Sequence, residues 1–216
     1  TLSNYVRAAF DAYGLRAEDR VLQAASLGFD LSLEEIVVTL TSGATLVIRS
    51  ARALDSVQEF FDECVQQRLT VLSITCALWH ELTARLADGS VLLPPLLRLV
   101  ILGADAARPD VLVPWQRATG GRVRLVNTYG LTETTIVATT WEASSQPLAS
   151  DWRVLPIGRP LRNVSAYVLD SRLELMPVGV AGEICIGGLA VAREYLGDQE
   201  LPDTRFAPAP YLPGAR

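Results

Sequence analysis

The sequence predicts an α/β protein, a doubly wound and mostly parallel sheet followed by a small β-rich region. Three observations carry that expectation. Short apolar runs of strand length alternate with stretches of helical periodicity as far as about residue 140. Half of the 216 residues are hydrophobic, enough to build a core beneath helices on both faces of a sheet. Beyond Trp141 the pattern changes to short strands punctuated by Pro, Gly and Asn.

Taken in order, residues 1–13 read as a helix stopped by Gly14, and 21–25 as a short apolar strand. Residues 33–40 have helical spacing and end before Gly43; 45–48 form the next strand. Asp55-Ser56-Val57-Gln58 resembles a capping signature, with Asp55 as acceptor, for a helix running to residue 68. A strand over 69–74, a helix over 77–86, a strand over 97–102, a helix over 109–118 and a strand over 123–126 complete the alternation. This gives a flavodoxin-like lobe over residues 1–140 and a β-rich region over 141–216. Within the latter, 142–151 is a polar loop, 166–169 and 183–186 are strands, and the chain is Pro-rich and irregular from Pro202.

Composition narrows the function classes. A net charge of −5 without Lys/Arg blocks argues against a nucleic-acid surface. The most apolar run, residues 91–102, is too short to span a bilayer and is broken by Pro94 and Pro95. Cys64, Cys76 and Cys185 show neither metal-ligand spacing nor a disulfide framework, which points to a reducing cytoplasm. No signal-peptide pattern is present, and a start at Thr1 suggests an excised or processed piece.

The chemistry concentrates in residues 122–137, RVRLVNTYGLTETTIV. A strand there runs into the polar turn Asn127-Thr128-Tyr129-Gly130. Beyond it Thr132 and Thr135 flank Glu133 in a pattern that can open a helix. An aromatic face, an amide, hydroxyls and a carboxylate on such a turn suit a purine nucleotide with a metal-bound phosphate. Four predicted strands end in polar or glycine residues: Ser26 to Asp30, Ser73 and Thr75, Gly103 to Asp105, and Asn127 to Thr128. All lie at carboxyl ends, so a parallel sheet gathers them on the edge where ligands bind.

Asn127-Thr128-Tyr129-Gly130-Leu131-Thr132-Glu133 resembles the N-x-Y-G-P-T-E motif of adenylate-forming enzymes, and most closely the amino-acid adenylation domains of nonribosomal peptide synthetases. Phe29-Asp30-Leu31-Ser32 resembles their F-D-x-S motif. Residues 182–188, GEICIGG, continuing to Ala192-Arg193-Glu194-Tyr195-Leu196, resemble G-E-L-x-I-x-G-x-G…A-R-G-Y-L. The resemblance covers nearly the whole chain. It departs at Leu131, where the family usually has Pro, and at Ala190 and Glu194, which replace glycines.

That resemblance implies ATP with Mg²⁺, an amino-acid substrate, and a carrier-protein domain in a parent synthetase, with room for a small activator protein. Residues 1–140 would hold substrate and adenine. Tyr129 would stack on the adenine and Asn127 contact its amino edge, with Gly103, Thr128 and Gly130 lining the nucleotide. Thr132 would bond the α-phosphate and Glu133 would help hold Mg²⁺. Asp30 would pair with the substrate's α-ammonium. The side-chain pocket would comprise Leu31, Glu34, Ser73, Val100, Leu102, Thr128, Ile136 and Val137, with Leu102, where many relatives have Gly, shortening it. Glu34 lies one helical turn after Asp30, so it either meets a side-chain amine, for a short diamino or ornithine- or lysine-like acid, or is a solvated helix acid. A phosphate-clamping loop, a ribose-binding Asp and a catalytic Lys of the family are not in this sequence, so the piece alone is expected to fold without turning over. An aryl or acyl ligase and a noncatalytic binding module stand as alternatives.

Overall fold

The computed structural model describes residues 1–143, 152–196 and 205–207, so most of the expected 142–151 loop and Pro-rich stretch from Pro202 lies outside the described residues. Helix α1 (Leu2–Tyr13) stops at Gly14, whose left-handed backbone lets its N–H bond Phe10 O. Next come β1 (Arg20–Gln23), α2 (Leu31–Leu33), a π-helical turn (Glu34–Val38) and α3 (Thr39–Thr41). The predicted 33–40 helix is therefore one continuous helical segment that starts two residues earlier, behind Asp30. Strand β2 (Thr45–Ile48) precedes α4 (Val57–Gln66). Ser56, not Asp55, caps α4, accepting from Glu59 N, and the helix ends two residues before the expected residue 68. The alternation continues with β3 (Val71–Thr75), α5 (Cys76–Ala87), β4 (Leu99–Gly103), α6 (Pro109–Thr119) and β5 (Arg124–Tyr129).

These strands form one sheet with β6 (Thr139–Glu142) and β7 (Arg159–Pro160), in the order β2-β1-β3-β4-β5-β6-β7. Strands β1 to β5 run parallel; β6 joins β5 by antiparallel pairing, and β7 joins β6 in the same way. Sequence order reverses between β1 and β3, the switch point at which open sheets leave a crevice. A separate antiparallel pair, β8 (Val164–Leu169) and β9 (Glu183–Gly188), follows.

Each face of the sheet has its own core. Leu72, Ile74, Val100, Leu102 and Leu125 pack against α4, α5 and α6 through Phe60, Trp79 and Trp115. Val71, Leu99, Ile101 and Val126 pack on the opposite face against α1 through Tyr5, Ala9 and Tyr13, with Ile136 and Val137. The segregation follows the two-residue strand period.

The π-helical turn carries two adjacent acids that are almost completely buried, Glu34 at 3% exposure and Glu35 at 1%. Glu35 anchors the turn to the end of β1, accepting from the backbone N–H groups of Ala24 and Ala25 and from Gln23 Nε2. Burial pushes its carboxyl up from the ordinary 4.5 to about 7, against the pull of those donors. The folded state thus holds this proton more tightly than the unfolded chain. The stability it contributes is present below pH 4.5 and is lost as pH rises through about 7. Urea unfolding should show stability falling across that window. Glu35→Gln should reduce the slope, leaving the contribution of Glu34, whose carboxyl is also raised by burial.

Candidate functional site

At the carboxyl edge of β4 and β5 lies a cleft of about 560 Å³, within the range of small-molecule sites. The segment after β1 supplies Phe29, Asp30 and Leu31; the loop after β4 supplies Gly103 to Ala107; β5 and its turn supply Asn127 to Glu133. Ile136, Val137 and Leu155 close it. Thr132 Oγ1 donates to Asp30 Oδ2 at 2.7 Å, joining residues 102 positions apart across the opening. Asn127 is 4% exposed, its amide nitrogen donating to Pro156 O at 2.8 Å, while its Oδ1 is buried with no partner among the described residues. Asn127, a lining residue of the cleft, thus carries a buried acceptor that no described residue fills. Thr128 Oγ1 donates to Leu102 O at 2.6 Å and fixes the wall between β4 and β5.

The turn after β5 is a single 3-10 turn, Thr132–Thr134, not the helix its Thr-rich pattern suggests. Strand β6 has to return antiparallel beside β5, so the backbone doubles back instead of running on. Thr135 and Ile136, both β-branched, take positive φ values of 58° and 71°. Such residues rarely adopt this conformation and do so where surrounding structure enforces it. Gly130 makes the reversal possible: a Cβ there would come 2.2 Å from Ile136 O and 2.6 Å from Val137 Cα.

The segment beyond β9 clamps this turn from outside. Ala192 N donates to Glu133 O at 2.8 Å, Thr135 Oγ1 to Ala190 O at 2.6 Å, and Tyr195 Oη to Glu133 Oε1 at 2.5 Å. The Tyr195 hydroxyl holds the Glu133 carboxyl below its ordinary range, so it stands ionised on the cleft wall. A carboxylate there supplies the hard-oxygen chemistry that suits Mg²⁺.

Of the residues singled out from the sequence, the cleft brings together Asp30, Leu31, Gly103, Asn127, Thr128, Tyr129, Gly130, Thr132, Glu133, Ile136 and Val137. Glu34, Ser73, Val100 and Leu102 do not line it. Glu34 and Ser73 lie on the α1 face of the sheet, where Ser73 Oγ donates to Glu34 Oε1 at 2.9 Å. The solvated-acid reading of Glu34 fails, since the side chain sits under α1 and accepts from the Tyr5 and Tyr13 hydroxyls. Val100 and Leu102 are fully buried on the opposite face, against α5 and α6, and share no wall with Ser73. The register pairs Ser73 with Ile101 and Thr75 with Gly103, so Ile101 and Gly103 are the β4 residues on Ser73's side. The sequence reading did not single out Ile101, which the register puts on Ser73's side of β4 within the core beneath α1.

Residues 1–196 match the family model described as AMP-binding enzyme. The chain belongs to that family. Among curated relatives it is 41% identical over 207 residues to isonitrile lipopeptide synthase of Streptomyces coeruleorubidus, covering 96% of this chain and 13% of that protein. It is 32% identical over 206 residues to tyrocidine synthase 1 of Brevibacillus parabrevis, covering 95% of this chain and 18% of that one. The chain thus spans under a fifth of either relative. Among solved structures, the Klebsiella oxytoca NpsA N-terminal subdomain in complex with 3-hydroxybenzoyl-AMSN is similar at TM-score 0.78 and 26% identity, covering 93% of this chain and 48% of that one. An artificially fused NpsA–ThdA adenylation–PCP di-domain is similar at TM-score 0.79 and 26% identity, over 94% and 37% of the two chains.

Gly130→Ala tests the family turn directly. The new methyl forces Ile136 and Val137 outward, which we expect to cost about 2–4 kcal/mol and to lower Tm by roughly 5–10 °C in calorimetry.

Proposed function

We propose that this chain is the substrate- and adenine-binding core of an adenylation domain, which activates an amino acid with ATP to an aminoacyl adenylate for nonribosomal peptide synthesis. One observation carries the reading: Asp30, Asn127, Tyr129 and Glu133 line a single cleft. The orphaned Asn127 Oδ1 fits the exocyclic amine of adenine, the donor that a buried acceptor lacks. Tyr129 presents its ring to the base. Thr132, on the opening, can turn its hydroxyl from Asp30 to the α-phosphate when a substrate ammonium takes that carboxylate. Mg²⁺, when bound, neutralises phosphate charge as carboxylate and phosphate approach, and Glu133 is the residue that would hold it. The chain's own contribution is positioning and charge compensation of two anions in one cleft.

Glu34 bears on the substrate in this reading, although it sits behind the cleft wall beneath α1 and does not line the opening. It is a buried carboxylate with no ion-pair partner among the described residues, four positions after Asp30. Carboxylates about one helical turn apart match the two ammonium groups of a short diamino or ornithine- or lysine-like acid. Leu31, Ile136 and Val137 make the wall its aliphatic stem would follow. We place the parent protein in the cytoplasm, handing its adenylate to a carrier-protein domain such as the one fused to NpsA; a small activator protein is compatible with this reading. An aryl-acid ligase is the competing reading, favoured by the 3-hydroxybenzoyl ligand of the NpsA complex. Asp30 argues against it, because an aryl acid brings no amine.

Pyrophosphate exchange by the full-length protein decides. Amino acids should support exchange and amine-free acids should not. Asp30→Asn should raise the amino-acid KM by about 10- to 100-fold, and Asn127→Ala the ATP KM by about tenfold. Exchange driven by an aryl acid, and indifferent to Asp30, would establish the competing reading.

A further inference from the structure

Three threonine hydroxyls stand on the turn after β5. Two are held by the turn itself and by the 190–195 segment: Thr134 Oγ1 accepts from Leu131 N at 2.9 Å, and Thr135 Oγ1 donates to Ala190 O at 2.6 Å. The third, on Thr132, reaches across the cleft to Asp30 Oδ2 at 2.7 Å instead. Asp30 is available to it for a backbone reason. It stands at the N-cap of α2, yet with φ −63° and ψ −23° it is already helical where a capping residue is extended, and its side chain makes no cap bond. Among the described residues, Thr132 is the one hydrogen-bond donor to the Asp30 carboxylate. Both residues line the cleft, Thr132 exposed on its rim and Asp30 half-buried. A hydroxyl has a single proton to donate. Thr132 can therefore serve Asp30 or a phosphate oxygen, and not both.

We propose that Thr132 makes nucleotide binding conditional on an amine: it donates to Asp30 before substrate arrives, and to the α-phosphate once a substrate ammonium has compensated that carboxylate. The proposal rests on the amino-acid-activating reading given above and adds to it a coupling between the two substrates. The physical reason is charge. With no ammonium bound, turning Thr132 away leaves Asp30 without a donor and facing the phosphate, and two anions in one cleft repel. An α-ammonium brings up to three charge-assisted donors to Asp30. The phosphate then becomes the better acceptor for the hydroxyl. An amine-free acid supplies no such compensation and leaves Thr132 on Asp30. Selection for amino acids thus acts twice, through the ammonium's own ion pair and through nucleotide affinity. Coupling of this kind is reciprocal, so each substrate tightens the other by the same factor.

The test is calorimetric binding of α,β-methylene ATP, which cannot be cleaved at the bond that adenylation breaks, to the full-length protein with Mg²⁺. Pyrophosphate exchange first selects the amino acid that the protein activates best, and its deamino analogue serves as the amine-free control. The amino acid should tighten nucleotide binding about tenfold, and the deamino analogue less than about twofold. Thr132→Val replaces an exposed hydroxyl by a methyl. It should leave the nucleotide Kd within about twofold when no amino acid is present and weaken it about tenfold when the amino acid is bound. Thr132→Ser keeps the hydroxyl and should keep the coupling. Equal weakening with and without the amino acid would make Thr132 a plain phosphate ligand and overturn the proposal. Coupling that survives in Thr132→Val, or is missing from the unaltered protein, overturns it too, while the amino-acid reading stands. If an amine-free acid drives exchange instead, the amino-acid reading fails and this inference with it.

Discussion

Antiparallel return at the end of a parallel sheet is the constraint on which the site depends. Strand β5 arrives parallel to its neighbour β4, and β6 must come back along its other side. The connection between Tyr129 and Thr139 has to reverse direction and still leave its polar groups open to the cleft. Ala138 N bonds Tyr129 O at 2.8 Å and closes the base of that excursion. The reversal presses Ile136 O against Gly130 and drives Thr135 and Ile136 to positive φ. A tight, strained loop of this kind is rigid, and rigidity is what a site based on positioning requires. The bonds from Ala192, Thr135 and Tyr195 to or from the 190–195 segment keep the strain from relaxing outward.

Buried charge is treated differently at the two edges of the sheet. At the amino edge, Asp19 is almost buried and meets Arg98, with Thr70 as a further donor, tying the start of β1 to the starts of β3 and β4. Burial pushes its carboxyl up, but the bonds from Arg98 and Thr70 outweigh that and hold it low. This is a satisfied structural ion pair. At the carboxyl edge, among the described residues, Glu34 has only hydroxyl donors and Asn127 Oδ1 has none. The two edges thus differ in how their buried polar groups are satisfied.

Most of the fold was legible because its signals are local. Apolar runs of four to six residues marked β1 to β5, and Gly14 marked the end of α1 for the conformational reason that the structure displays. Asp30, Asn127 and Tyr129 could be assigned to one edge because parallel strands put all their carboxyl ends together. The errors have equally physical origins. Thr132 to Thr135 look like a helix start, but the pull of β6 into the sheet overrides local preference. Asp55 and Ser56 are both good caps, and only the extended backbone at Ser56 decides between them. Val100 and Leu102 were placed in the pocket by position along the chain; a shift of one residue in a strand moves a side chain through the sheet.

Sequence alone determined the order of strands and helices, the polar strand ends and the motif residues, since each depends on spacing over a few positions. Tertiary structure decided which face of β4 looks toward Ser73, that Glu34 is enclosed by two tyrosines from α1, and that Tyr195 reaches Glu133. Those facts join residues 21 to 62 positions apart. No local periodicity encodes such distances; they follow from how helices settle on a twisted sheet and from the need of each buried polar group for a partner.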